Sequence, residues 1–122
     1  MHADAISLTL PWPPSTNRYW RNLAGRTVLS KAGREYKRDV AVTVREQLGG
    51  RVKAMTGPVA VHIELEPPDR RKRDIDNHAG KGLLDALQSS GVIVDDSQIV
   101  ELHAYMRGVE KGGRCSVEIV AL

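Results

Sequence analysis

The sequence predicts a mixed α+β fold: a single small domain with one mixed β-sheet and two main helices. Three observations carry that prediction. Apolar residues alternate with polar ones at period two in several short segments, they recur at helical spacing in two others, and proline, glycine or short polar runs punctuate the joins. With 122 residues there is room for one core, and 41% hydrophobic and 27% charged residues are the composition of a globular chain. Residues 1–122 are therefore read as one domain.

In AISLTL, Ile6, Leu8 and Leu10 alternate with Ser7 and Thr9, the pattern of a half-buried strand, and PWPPSTN ends it. In SKAGREYKRDVAVTVREQLGG, Ser30 can cap a helix. Tyr36, Val40, Val44 and Leu48 fall on one face of it, and Gly49-Gly50 stop it. VAVHIELE alternates again, with Val59, Val61, Ile63 and Leu65 on one side, until Pro67-Pro68. A second helix is expected over 78–90, capped by Asp76 or Asn77, with Ala79, Leu83, Ala86 and Leu87 inward and Gly91 as its stop. Two last strands, near 99–106 and 114–121, flank RGVEKGG, a loop with hairpin chemistry.

No apolar run approaches the roughly 18 residues of a membrane span, and the start MHADAISLTL lacks the pattern of a secretory signal. The expectation is a cytoplasmic protein. One cysteine, Cys115, makes neither an internal disulfide nor a cysteine zinc site and reads as a small core residue. His62 and His103 fall on the polar phase of their strands and read as surface residues. The net charge is only +3, but residues 18–53 hold ten basic against three acidic side chains, and RRKR adds four more. From residue 95 onward the balance is three basic to five acidic, so one part of the molecule carries a positive field suited to a polyanion.

The densest chemistry is DRRKRDIDN, residues 69–77. If RDID is extended, Asp74 and Asp76 project to one side, where two carboxylates repel unless a cation lies between them. Mg²⁺ suits that need, being hard and content with one or two carboxylates plus water and substrate phosphate. D-x-D alone also occurs as a cap or by chance. VIVDDSQIV supplies a second acidic pair, Asp95-Asp96, about twenty residues on. A helical return over 78–90 is expected to bring both pairs to one end of the sheet, although Asp95-Asp96-Ser97 also has the composition of a simple turn. His78 lies beside the carboxylates, within reach of a phosphate or only in a first helical turn. Trp12, Tyr19 and Trp20 beside Arg18 and Arg21 offer a stacking platform for bases; for Trp12, packing on the core is the better reading.

LPWPPSTNRYWR, then GRT and a serine before the first helix, PPDRRKRDIDN, LLDAL and GVIVDDSQIV follow one another in an order and spacing that resemble the RusA family of Holliday-junction resolvases. The resemblance runs from residue 6 to about 119. It implies Mg²⁺-dependent, homodimeric endodeoxyribonucleases, many of them prophage-encoded, which nick four-way junction DNA symmetrically in recombination and repair, with no small-molecule cofactor beyond the metal. It implies Asp74, Asp76 and Asp96 as metal-binding catalytic carboxylates, with Asp95 as a further candidate ligand, and Lys81 as the positive charge at the phosphate. Asn17, Arg18, Arg21, Arg70, Arg71, Lys72 and Arg73 are the expected DNA contacts. One departure stands out: the family lysine comes three residues after the Asn of D-x-D-N, whereas Lys81 comes four after Asn77. Absorbing the extra residue before the helix, helped by Gly80, keeps Lys81 in place; absorbing it within the helix turns the site by about 100°. Two other functions fit the same residues: a nucleic-acid-binding module without catalysis, and a metal-dependent nuclease for other branched DNA.

Overall fold

The computed structural model describes residues 4–122. A four-stranded sheet in the order β1 (Ala5–Pro11), β6 (Arg114–Ala121), β4 (Val59–Glu66), β5 (Ile99–Met106) carries the core. It is mixed: β6 runs antiparallel to both β1 and β4, and β4 runs parallel to β5. Helices α2 (Lys31–Gln47) and α4 (Lys81–Ser90) pack against each other, and Val40, Val44, Leu83 and Leu87 join Leu8, Leu10, Val61, Ile63 and Ile119 in one buried cluster. The alternation in each strand is thereby explained, because the apolar row meets helices while Ser7, Thr9, Glu64 and Glu118 stay exposed on the opposite face. There His62 and His103 stack, their ring centroids 4.6 Å apart. Cys115 is buried, and desolvation pushes its thiol up to about 12, which leaves it inert.

The helix signals act as expected. Ser30 caps α2 by accepting from the Gly33 amide, and Gly91 ends α4 in a left-handed conformation. The last two strands do not form a hairpin. The 107–113 loop instead crosses the end of β4, donating from Arg107 N to Leu65 O and from Glu110 N to Pro67 O, and β6 then inserts between β1 and β4. Strands β4 and β6 are therefore interior, and the edges are β1 and β5. The β1 edge is partly occupied: the Gln47 amide of α2 accepts from Thr9 N and donates to Thr9 O, standing in for a fifth strand.

A second, two-stranded ribbon was not anticipated. Its strands are β2 (Trp20–Leu23) and β3 (Arg26–Leu29), which follow the one-turn helix α1 (Thr16–Tyr19). The turn is Ala24-Gly25, with φ of 51° and 79°, the paired positive angles of a tight hairpin that favours Asn-Gly. Alanine has no side-chain compensation for a left-handed backbone. Ala24→Asn is expected to stabilise the fold by about 0.5–1 kcal/mol, raising the melting temperature by about 2–6 °C. A lower melting temperature in a thermal scan would mean that the ribbon does not turn this way.

Candidate nucleic-acid and metal site

Between β4 and β5 the chain descends through two helical pieces. The first, α3 (Ile75–His78), begins directly after Asp74, which occupies its N-cap position; the second is α4. RDID is thus not extended and the helix starts earlier than expected, with Asp76 in its first turn. The pieces part at Ala79-Gly80, where Gly80 turns to an extended conformation. A Cβ on Gly80 would lie 2.5 Å from Asp76 O, so only glycine fits this step. The break falls between Asn77 and Lys81, and Lys81 opens α4 as an exposed residue beside Trp20 and Thr27 of the ribbon.

Asp74 and Asp76 are exposed, and among the described residues neither carboxylate accepts a hydrogen bond or pairs with a cation. Two unengaged carboxylates within one turn are a donor set that suits a hard, oxygen-seeking divalent ion completed by water and phosphate. The second acidic pair is elsewhere. Asp96 lies in a short 3-10 turn whose neighbour Gln98 donates to Met55 O and Gly57 O, just ahead of β4, and Asp96 N donates to Gln88 at the foot of α4. Asp74 and Asp76 instead follow the far end of β4. The length of β4, eight residues or roughly 26 Å, lies between the two ends of the sheet at which the pairs sit. The expected convergence of Asp74, Asp76, Asp95 and Asp96 within one chain is therefore corrected. A helix joining parallel strands returns antiparallel to them, so its two junctions lie at opposite ends. Consistently, the described residues contain no group of three acidic, histidine or cysteine side chains set to hold a metal. Asp95 is moreover engaged locally: its carboxylate accepts from Ser97 N, which lowers its pKa, and Gln98 completes a capping box.

The basic block is tied to Asp69. Arg71 donates to both carboxylate oxygens of Asp69 and Arg73 reaches it at 2.8 Å, and hydrogen bonds from Arg71 above all hold the Asp69 pKa far below the usual range. Arg73 is only 13% exposed and lies over Trp12 at 5.6 Å, while its guanidinium also donates to the carbonyls of Asp69 and Arg71. Arg73 thus shapes the loop more than it offers charge. Arg70 and Lys72 remain exposed and, among the described residues, outside any ion pair. On α2, Lys37 is paired with Asp85 at 3.3 Å.

Asn17 and Arg18 sit exposed on α1, and Arg21 on the ribbon, near Asn22 and Thr27. Tyr19 is wholly buried, so the stacking platform loses its centre. Its hydroxyl donates to Asp85, and burial, reinforced by that carboxylate, raises its pKa strongly. The Tyr19 ring lies where a side chain on residue 82 would collide, at 2.8 Å, so Gly82 lets α1 seat on α4. This Tyr19-Asp85-Lys37 link was not foreseen, though Asp85 on the polar side of LLDAL was its available signal. Nor was the group around His78: the residue is buried, its ring packs 4.7 Å from Trp12, and Nδ1 donates to Pro13 O at 2.9 Å.

Comparison with known proteins gives one consistent result. The family model described as endodeoxyribonuclease RusA matches residues 11–120. The chain is 42% identical over 119 residues to crossover junction endodeoxyribonuclease RusA of Escherichia coli (strain K12), covering 98% of this chain and 97% of that one. It is 42% identical to the enzyme of that name from Enterobacteria phage 82 and 41% identical to that of Shigella sonnei (strain Ss046), with the same coverage.

Proposed function

The chain belongs to the RusA endodeoxyribonuclease family, and from that premise we propose that it is a crossover junction endodeoxyribonuclease, nicking four-way junction DNA in pairs with Mg²⁺ in recombination and repair. The observation that carries the reading is the site at the start of α3: two unengaged carboxylates directly after a basic block.

The position of the second acidic pair supports a homodimer. A four-way junction needs two cuts related by a twofold axis, and a C₂ dimer supplies two equivalent sites. Of the two sheet edges, β1 is capped by Gln47, whereas β5 is open. The core face of β4 continues onto β5 through Val100, Leu102 and Met106, of which Val100 is 61% and Leu102 46% exposed. An uncovered apolar row beside an unpaired edge is a surface for a second copy. If two β5 strands pair antiparallel about a twofold, the N-terminal end of each meets the C-terminal end of the other. Asp96 of the partner then approaches α3, which itself touches β5, and meets Asp74 and Asp76.

In this arrangement Asp74 and Asp76 of one protomer and Asp96 of the other would hold Mg²⁺. When bound, the metal neutralises charge on the phosphate and makes water easier to deprotonate. The chain's own cations do the rest. Arg70 and Lys72 bind phosphates flanking the cut, Arg18 and Arg21 follow the strand along α1 and the ribbon, and Lys81 offers positive charge where it develops on the phosphate.

Incubation with a synthetic four-way junction and a matched linear duplex, with Mg²⁺ or with chelator, tests the function. Paired nicks in the junction, at least 100-fold faster than in the duplex and absent with chelator, are expected. Equal cutting of other branched DNA would move the reading to a less selective nuclease, and binding without cutting to a non-catalytic module.

A further inference from the structure

Beside the proposed metal carboxylates lies a cavity of about 360 Å³, walled by Trp12, Pro68, Arg73 and His78 and rimmed by Arg18 and Lys72. We infer that this cavity receives an unpaired nucleobase next to the cut phosphate and reads its edge through His78, an inference that rests on the junction reading above.

The chemistry of the walls selects the ligand class. Arg71 and Arg73 share the single carboxylate of Asp69, Arg71 is largely exposed, and Arg73 also donates to the carbonyls of Asp69 and Arg71, so the donors nearest the interior are spent within the loop. The interior offers instead a proline and two aromatic rings, Trp12 and His78, in contact at 4.7 Å. That surface fits a planar, neutral, hydrogen-bonding group. A carbonyl oxygen can only accept, so the contact with Pro13 O fixes the proton of His78 on Nδ1. In the neutral ring Nε2 is then an acceptor, suited to the exocyclic amino group of a base. The free cations stand at the rim, where the phosphates of the same nucleotide would lie. Residues 71–73 of the wall run directly into Asp74, so an occupant of the cavity is a near neighbour of the scissile position.

The test is a set of junctions identical except for the base pairs flanking the crossover. The unaltered protein is expected to cut the best and worst of them at rates differing by at least about tenfold. His78→Asn keeps a donor for Pro13 O but removes the reading edge. Its preference is expected to fall below about threefold, with its melting temperature close to that of the unaltered protein. A second measurement needs no variant: 2-aminopurine is placed in turn at each flanking position, without metal. One position should change in emission on binding while the others do not, and His78→Asn should remove that change. Unaltered preference in His78→Asn, or no position-specific signal, overturns the pocket while leaving the junction reading intact. Failure of the unaltered protein to bind the junction would overturn both.

Discussion

Asp76→Asn and Asp96→Asn are each expected to lower junction cleavage about 10³-fold or more while binding persists, and an equilibrated mixture of the two inactive variants is expected to cut again. In a mixed dimer one site receives both altered residues and the other receives neither, because Asp76 and Asp96 of any one site come from different chains. Random exchange makes half of the dimers mixed, each with one of two sites intact, so about a quarter of the normal number of sites returns. The products should differ in kind as well as amount, since one intact site per dimer yields singly nicked junctions rather than resolved duplexes. Coexpression with two affinity tags isolates the mixed dimer for assay. If Asp76 and Asp96 of one chain served the same site, the mixture would stay inactive, and that result would remove the shared-site reading. Full activity of either single variant would remove that residue from the metal site.

The second large effect concerns the open edge. Placing glutamate at both Val100 and Leu102 sets like charges on the apolar row of β5 that a partner is proposed to cover. Both positions are substantially exposed in the single chain, so the fold should tolerate the change with a small loss of stability. The dimer should not. Light scattering is expected to report a monomer at micromolar protein, and cleavage should fall by about 10³-fold even though every aspartate is present. A variant that remained dimeric and active would place the interface on another surface.

Much of the fold was legible because periodicity reports which face is covered. The period of two in AISLTL and VAVHIELE and the fourfold spacing of Tyr36, Val40 and Val44 each mark a row that is buried in the structure. What periodicity does not report is who pairs with whom. The 107–113 loop has the composition of a hairpin, yet backbone bonds to Leu65 and Pro67 carry it across β4. The ribbon at 20–29 was hidden because Ala24 stands where asparagine would have announced the turn. At the site, both acidic pairs could be picked out by their position at element junctions, and Gly80, where α3 and α4 part, was visible too. Their separation was a matter of chain direction, which spacing along a sequence leaves out. The engagement of Asp95, Arg71 and Arg73 by neighbours was equally hidden, since opposite charges two to four residues apart pair only if the loop curls to let them.

The opposed placement of the two acidic pairs also sets how activity should scale with the amount of protein. On the proposed shared site, a chain alone would carry every ligand but no assembled centre, so the number of working sites would follow mass action and rise with the square of concentration while the dimer is dilute. Nicking by scarce or newly made chains would thereby be suppressed without an inhibitor. Once the concentration passed the dissociation constant, both cuts would become available in the same step.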